Sequence, residues 1–240
     1  NIFGQVGKIY GLHFLGSELR FTTMDINSGV VDILSTNALS PDLFQQGVAD
    51  FDPIEKRYFY VRGSGSQTQI FTVNALTGET ISSPTMNSTV NNPNNSTVAP
   101  ITNIAYNWLD ESLYGVNHQF NGNNEELRLA KVNVETGNVE IISDLPTSET
   151  PYLSGNSDID PVNRKYFYAT SDKIYTVDLD NGLVLNSPTI DYPMNGTQFT
   201  ANLTYNWQTD ELYCLHFLGI QNQDPLSDSL TSELRLAILD

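Results

Sequence analysis

The chain of 240 residues is poor in cysteine and in basic residues, and it lacks long apolar runs. Its one cysteine, Cys214, has no partner for an internal disulfide bond. Eleven Lys and Arg residues face 28 Asp and Glu residues, for a formal net charge of −17. Such a surface repels phosphate groups, so we expect no nucleic-acid partner. No apolar stretch approaches the roughly 18 residues of a membrane-spanning helix, so we expect no membrane insertion.

A helical pattern is also missing, because no segment keeps apolar residues at spacings of three and four. Short runs instead alternate apolar with polar residues and are rich in aromatic and β-branched side chains, which is typical of β-strands. In the middle of the chain this pattern predicts four strands: Ile101–Asn107, Ser112–His118, Glu126–Val134 and Asn138–Ser143. The chain is therefore predicted to be all-β.

One motif recurs five times, with a period of roughly 45 to 55 residues that is typical of a propeller or an array. It occurs in two versions. The A-type repeat is marked by Tyr106-Asn107-Trp108 and Glu126-Leu127-Arg128, and the B-type repeat by Asp-Pro followed by Tyr58-Phe59-Tyr60. The versions alternate A-B-A-B-A, and we expect a single domain spanning 1–240. Its approximate repeats are 1–46, 47–100, 101–153, 154–200 and 201–240.

Four-stranded units repeated around a ring predict a β-propeller of antiparallel blades. The segments "FDPIEKRYFYV", "IDPVNRKYFYA", "IFTVNALTGE" and "IYTVDLDNG" resemble quinoprotein-like and YVTN-type β-propeller repeats. The resemblance implies the fold. Because these families include dehydrogenases, assembly scaffolds and surface proteins, it implies little about activity.

The two ends of the repeat pattern are unequal. The first copy lacks most of its first strand, and the last copy stops before its fourth. Two arrangements follow: a five-bladed ring whose termini share the closure, or most of a six-bladed ring cut from a longer chain. The chain begins with Asn1 rather than Met, so we expect a mature or excised piece that is part of a larger chain or assembly.

Turn chemistry gives the predicted ring two unlike rims. Turns between strands one and two begin with Asp or Asn, and turns between strands three and four contain Gly, so both are short and share one rim. The opposite rim carries longer segments, predicted as loops at Gln119–Glu125 and Gly219–Ser232. Insertions on one face often mark a binding face. The candidate ligand-binding residues there are Asn121, Asn123, Asn124, Asp224 and Asp228.

Two carboxylates, Asp50 and Asp158, occupy equivalent positions in the strand that lines a propeller's axis. They are the catalytic candidates if the chain is an enzyme, because a carboxyl pair can serve as acid and base or hold a divalent cation. The alternative is a polar channel wall. The A-type copies carry Ala105 and Thr204 at the same place, which weakens the analogy with propeller glycosidases.

The remaining candidates each have an ordinary structural interpretation. His13 and His216 are equivalent by repetition, so with His118 they are weak metal ligands. Trp108 and Trp207 either stack on sugars or pack under their own turns. The Glu-Leu-Arg triplets either contact a periodic ligand or form cross-strand or inter-blade ion pairs. We expect Cys214 to be a buried, inert thiol.

These observations favour a non-catalytic extracellular or cell-surface module that binds a glycan or protein through its long-loop face. The alternatives are a hydrolase or lyase that uses the axial carboxylates with a divalent cation, and a structural scaffold module of a larger assembly. No cofactor is expected. Ca²⁺ is the one candidate ion, although the segment from Asp224 to Asp228 lacks the spacing of a calcium loop.

Overall fold

The computed structural model describes residues 7–39, 44–63, 68–87, 101–121, 124–148, 152–170, 172–191, 197–220 and 231–239. These residues form five antiparallel sheets, the blades of a β-propeller, and contain no helix. Blade 1 comprises β1 (Lys8–Leu15), β2 (Glu18–Asp25) and β3 (Val31–Ile33), and blade 2 comprises β4 (Phe44–Asp52), β5 (Arg57–Arg62), β6 (Gln69–Asn74) and β7 (Thr80–Ser82). Blade 3 comprises β8 (Thr102–Asn107), β9 (Ser112–Asn121), β10 (Asn124–Val132) and β11 (Val139–Ile141). Blade 4 comprises β12 (Tyr152–Asp160), β13 (Lys165–Thr170), β14 (Ile174–Asp178) and β15 (Val184–Asn186), and blade 5 comprises β16 (Thr197–Asn206), β17 (Glu211–Ile220) and β18 (Thr231–Leu239).

The predicted all-β propeller fold is confirmed. The unequal ends are also present: in the described residues blade 1 has no counterpart of the first strand, and blade 5 has none of the fourth. Blades 1, 3 and 5 are the A-type repeats, and blades 2 and 4 are the B-type repeats.

The loop predicted at Gln119–Glu125 is wrong for most of its length. β9 runs to Asn121 and β10 starts at Asn124, with these two residues paired, so only 122–123 lie outside the described residues. Likewise the predicted Gly219–Ser232 loop is wrong at both ends, because Gly219 pairs with Ser232 and Ile220 with Thr231, and residues 221–230 lie outside the described residues. The polar residues there suggested loops, but an antiparallel ladder satisfies the backbone groups whatever side chains they carry.

The hydrophobic core lies between blades rather than within one of them. Four clusters of buried side chains join blade 1 to 2, 2 to 3, 3 to 4 and 4 to 5. In the first cluster, Leu19 and Phe21 of blade 1 pack against Tyr58 and Tyr60 of blade 2. Alternate residues of each strand point to opposite faces, so every inner blade buries two faces, one against each neighbour.

The tight-turn rim is built the same way in blades 1 to 4. At the start of each turn between strands three and four, the side-chain oxygen of Asp25, Asn74, Asn133 or Asp178 accepts two backbone N–H groups of the turn. The turn then passes through a glycine with positive φ, such as Gly78 at 73° or Gly137 at 74°. The short turns predicted for this rim are confirmed.

Candidate functional site: the axial cavity and the hairpin rim

A cavity of about 380 Å³ lies where the five blades meet. Every blade contributes to its wall, through Leu12, Asp50, Ile104, Asp158 and Thr204 in chain order. Blade 1 reaches the cavity with β1, whose equivalents in the other blades are second strands. The two carboxylates singled out from the sequence are therefore both present at the axis.

Asp50 and Asp158 make the same pair of bonds in their respective blades. One oxygen of Asp50 accepts the N–H of Phe51 at 2.7 Å, and the other accepts the N–H of Tyr106 in blade 3. One oxygen of Asp158 accepts the N–H of Ile159 at 2.7 Å, and the other accepts the N–H of Tyr205 in blade 5 at 2.6 Å. Each carboxylate thus ties the first strand of a B-type blade to the first strand of the following A-type blade.

The A-type strands are shaped to offer these N–H groups. The ladders β8–β9 and β16–β17 shift register between Thr102 and Ala105 and between Ala201 and Thr204. Inside each shift lies an asparagine with positive φ, Asn103 at 49° and Asn202 at 53°. Asparagine tolerates this conformation better than most residues, and a bulge redirects the chain that follows it. The bulge precedes Ala105 and Thr204, which occupy the positions equivalent to the two aspartates.

Partial burial shifts both axial carboxyl groups toward neutrality. Burial and, to a smaller extent, the negative charge of Asp158 together raise the pKa of Asp50 to about 7, although the N–H of Tyr106 opposes the shift. Burial raises the pKa of Asp158 to about 6, against the opposing N–H of Tyr205. Both side chains are half-buried at the cavity wall. Near neutral pH the pair therefore holds a proton that two exposed aspartates would have lost.

A second pair of aspartates, Asp52 and Asp160, lies buried at the turns that follow β4 and β12. Arg57 binds one oxygen of Asp52 through two nitrogens, at 2.9 and 2.7 Å, and also donates to the hydroxyl of Tyr106 at 2.9 Å. At the equivalent site the hydroxyl of Tyr205, in blade 5, lies within hydrogen-bond distance of two carboxylates, at 3.0 Å from Asp160 of blade 4 and 2.5 Å from Asp210. The sequence indicated these aspartates only as turn formers, because the tyrosines that complete the two sites, Tyr106 and Tyr205, belong to the following blades.

Packing under the turn is confirmed for Trp108 of the tryptophan pair, and stacking on sugars stays a prediction. Trp108 packs against the cluster between blades 2 and 3, whereas Trp207 is 42% exposed. The two rings nevertheless meet edge to face, with centroids 6.5 Å apart, although their blades are not neighbours in the chain. They follow the ends of β8 and β16 on the tight-turn rim.

The Glu-Leu-Arg triplets form ion pairs, but the predicted cross-strand or inter-blade geometry is wrong for the two that are described. Arg20 binds Glu18 at 2.5 Å and Arg128 binds Glu126 at 3.0 Å, both within one strand. The same arginines also donate to backbone carbonyls beyond the outer strand, for example Arg20 to Thr36 at 2.7 Å. The triplet therefore clamps the third strand to the segment after the fourth. The side chains of Glu233 and Arg235 lie outside the described residues.

The structure describes the side chains of His13, His118 and Cys214. His118 is buried, with its Nε2 3.3 Å from the hydroxyl of Thr102, and His13 is exposed. The side chain of His216 lies outside the described residues. Cys214 is buried, and burial raises the pKa of its thiol, as expected of an inert residue. Within the described ranges, no three His, Cys, Asp or Glu side chains are close enough together to hold a metal ion.

Of the five predicted binding residues, the structure describes the backbone of Asn121 and Asn124. Asn121 and Asn124 are paired at the tip of the β9–β10 hairpin. Their side chains, together with Asn123, Asp224 and Asp228, lie outside the described residues. A shared binding surface of these five residues therefore stays a prediction.

Sequence reasoning missed a larger cavity, of about 640 Å³, on the tight-turn rim between blades 2 and 3. Its wall carries both charge signs, with Arg57 and Lys131 facing Glu111, Glu135 and Glu140. These residues belong to regular turns and strands, and no insertion marked them. Arg57 comes from blade 2 and the other charged residues from blade 3, so the cavity depends on how the two blades pack.

Fold and axis together define a β-propeller whose blades are joined by buried side chains and by carboxylate-to-backbone hydrogen bonds. No protein-family model matches the chain, and no curated protein does. The resemblance to propeller repeats is confirmed at the level of the fold by solved structures. No helix of the described residues is long and apolar enough to cross a membrane.

Three solved structures are similar to this chain. TolB from Acinetobacter baumannii is 15% identical, with a TM-score of 0.56, and the match covers 98% of this chain and 50% of that one. A putative TolB from Agrobacterium tumefaciens is 11% identical, with a TM-score of 0.58 and coverage of 96% and 73%. A member of the DUF4221 family from Bacteroides vulgatus is 9% identical, with a TM-score of 0.51 and coverage of 98% and 78%. The chain thus spans half the length of the first of these proteins, and the likeness concerns the fold alone.

Proposed function

We propose that this chain is a non-catalytic extracellular or cell-surface binding module that recognises a protein or a glycan through the rim opposite its tight turns. The observation that carries the proposal is the length of the hairpins between the second and third strands. In A-type blades they contain eight, nine and nine paired positions, against six and five in B-type blades. At about 3.3 Å per residue, the A-type hairpins project roughly 7 to 13 Å farther.

Projecting hairpins suit recognition because their inner portion is anchored in the blade. The β9–β10 ladder pairs without a break from Leu113 and Val132 to Asn121 and Asn124. Its base, including Leu127 and Leu129, is buried between blades 3 and 4. Rigid anchoring lowers the conformational entropy that a partner must remove on binding. Amides and hydroxyls at such tips can bond sugar hydroxyls or a partner's backbone.

The axial carboxylates support a structural rather than a catalytic role. Both oxygens of Asp50 and of Asp158 already accept backbone N–H groups, and two of those bonds hold neighbouring blades together. A group that ties the scaffold together is constrained against the movements that substrate binding and proton transfer require.

Binding to a printed array of neutral and acidic glycans, and to a panel of extracellular proteins on the same surface, tests the proposal. We expect selective binding that is lost in Asn121→Ala/Asn124→Ala and in a chain lacking Ser227–Thr231. The matched control is Thr77→Ala/Glu79→Ala, which changes a turn on the opposite rim. If binding survives both rim variants, or falls equally in the control, the long-hairpin rim is not the recognition surface.

A second candidate is a hydrolase or lyase acting in the axial cavity with a divalent cation such as Ca²⁺. The observation that favours it is the pair of carboxyl groups with pKa values of about 7 and about 6 on the wall of a 380 Å³ cavity. Asp158→Asn should then abolish turnover of a glycoside or ester panel while the protein stays folded. Unchanged glycan or protein binding in that variant, with no activity in the parent chain, favours the binding module.

A further inference from the structure

Each of the four core clusters joins an A-type blade to a B-type blade. We use front face for the side of a blade that faces the next blade in the chain, and back face for the opposite side. Front faces of blades 1 and 3 cover back faces of blades 2 and 4, and front faces of blades 2 and 4 cover back faces of blades 3 and 5. Two faces have no counterpart in these clusters: the front of blade 5 and the back of blade 1.

The front face of blade 5 is apolar and exposed. Leu236 is 71% exposed and Ile238 is 50% exposed. By register, Leu236 pairs with Leu215 as Leu129 pairs with Val116 in blade 3. Leu129 is only 1% exposed, because blade 4 covers it. The same position is therefore core in one A-type blade and surface in another.

The back face of blade 1 shows the same contrast. Ile9 pairs with Met24 as Leu113 pairs with Val132 in blade 3. Ile9 and Met24 are 52% and 38% exposed, whereas Leu113 and Val132 are 1% and 2% exposed. Contiguous apolar residues of this kind on a soluble chain mark an interaction surface.

The glycine in the turn after the third strand gives independent evidence that no blade covers the back face of blade 1. A methyl group on Gly78, Gly137 or Gly182 would lie 2.2 to 2.4 Å from the outer segment of the preceding blade. Gly29 has the same positive φ, but a methyl group there would meet no atom within 4 Å. The position where a preceding blade rests on blade 1 is thus open.

We propose that these two faces bind a sixth, B-type blade contributed by the same polypeptide. Both faces are A-type, and A-type faces contact only B-type faces in the four clusters. Blades 2 and 4 show which side chains a B-type blade presents to its A-type neighbours. A B-type back face carries two tyrosines of the second strand, Tyr58 and Tyr60 in blade 2. A B-type front face carries a phenylalanine, such as Phe59, whose ring centroid lies 5.0 Å from that of Tyr106.

A second copy of this chain fits the two faces less well. In such a dimer the front face of one copy, which bears Leu236, would pack against the back face of blade 1 in the other copy. That back face carries Gly11 where a B-type blade carries the bulky Tyr60, so space between the two faces would remain unfilled. Two copies with a net charge of −17 each would also repel one another. Each B-type blade described here is covalently continuous with the A-type blades it separates, which is why we commit to the same polypeptide as the source.

The test extends the 240-residue chain after Asp240 with an additional copy of residues 154–200, a B-type unit. The matched control carries a copy of residues 101–153, an A-type unit. Leu236→Cys reports on the front face of blade 5, since Cys214 is only 1% exposed and contributes little background. We expect thiol labelling of Cys at this position to slow at least about tenfold in the B-extended chain. We also expect Tm to rise by roughly 5 °C or more there, with neither change in the A-extended chain.

A second variant separates loss of the interface from loss of folding. Leu236→Arg should leave the Tm of the 240-residue chain unchanged, because the side chain is exposed, and should remove the gain in the B-extended chain. Equal labelling rates in the B-extended and parent chains would overturn the proposal. So would protection of the parent chain that rises with its concentration as dimers appear in sedimentation, which would assign the faces to a second copy.

Discussion

Asp50 of blade 2 accepts the backbone N–H of Tyr106 in blade 3, and the B-type repeat that follows reproduces this bond between Asp158 and Tyr205. The relationship explains why the two repeat types alternate. B-type strands supply a carboxylate at the axis, and A-type strands supply a bulge that exposes an N–H to it. Neither type makes this bond with its own kind.

Removing one of these carboxylates should destabilise the fold. In Asp158→Ala the N–H of Tyr205 loses its acceptor at a half-buried site, and we expect a loss of about 1 to 3 kcal/mol in the free energy of unfolding. Asp158→Asn keeps an acceptor oxygen and should cost less. Urea denaturation measures both variants, and Asp158→Asn serves as the matched control. Equal losses in Asp158→Ala and Asp158→Asn would show that the acceptor oxygen contributes nothing.

The raised pKa values of Asp50 and Asp158 predict how stability depends on pH. Their folded-state pKa values, about 7 and about 6, lie above the ordinary value of 3.8, so the folded chain binds these protons more tightly than the unfolded chain. The resulting stabilisation is fully present below pH 3.8 and is lost as pH rises through 6 and 7. Urea midpoints between pH 4 and pH 8 should show this decline, and Asp50→Asn/Asp158→Asn should flatten it. If the urea midpoint of the double variant falls with pH as steeply as that of the parent chain, groups other than Asp50 and Asp158 cause the decline.

Gly137 and Gly29 form a matched pair that measures the contact between blades. Both have φ near +70°, so alanine strains the backbone at each by about 1 kcal/mol. At Gly137 the added methyl group would also lie 2.3 Å from the carbonyl oxygen of Thr85, whereas at Gly29 it meets nothing within 4 Å. Gly137→Ala should therefore cost about 2 to 4 kcal/mol, more than Gly29→Ala. Thermal unfolding of the two variants measures this difference, and similar Tm values would contradict the close approach of Gly137 to Thr85.

Arg57 should matter more than an exposed basic residue. Asp52 is fully buried, and Arg57→Met would leave its charge without a cationic partner, bonded to two turn N–H groups and to the side chain of Tyr106, at a cost of about 3 kcal/mol. Lys8→Met removes an exposed pair with Asp32 at 3.7 Å and should cost less than about 1 kcal/mol. Chemical denaturation at neutral pH compares them. Equal and small losses of unfolding free energy in the two variants would show that the buried charge of Asp52 does not need Arg57 as its partner.

The sequence predicted local structure well because strands and turns are local. Alternation of apolar and polar residues located the strands, and Asp52, Asn107, Asp160 and Asn206 located the turns between the first and second strands. Prediction failed at Gln119–Glu125, where polar composition indicated a loop. There the ladder of backbone hydrogen bonds continues regardless of side-chain type, so composition carries no signal of its length.

By itself, the sequence determined the all-β propeller, the two repeat types and the axial position of Asp50 and Asp158, since each follows from periodicity over short distances. Only the tertiary structure decided what these residues do. The carboxylate of Asp50 bonds an N–H that lies 56 residues away. Leu129 is core while its equivalent Leu236 is surface, although both are the same residue in the same motif. Burial and hydrogen-bond partners depend on the neighbouring blade, and a repeat does not encode whether that neighbour is there.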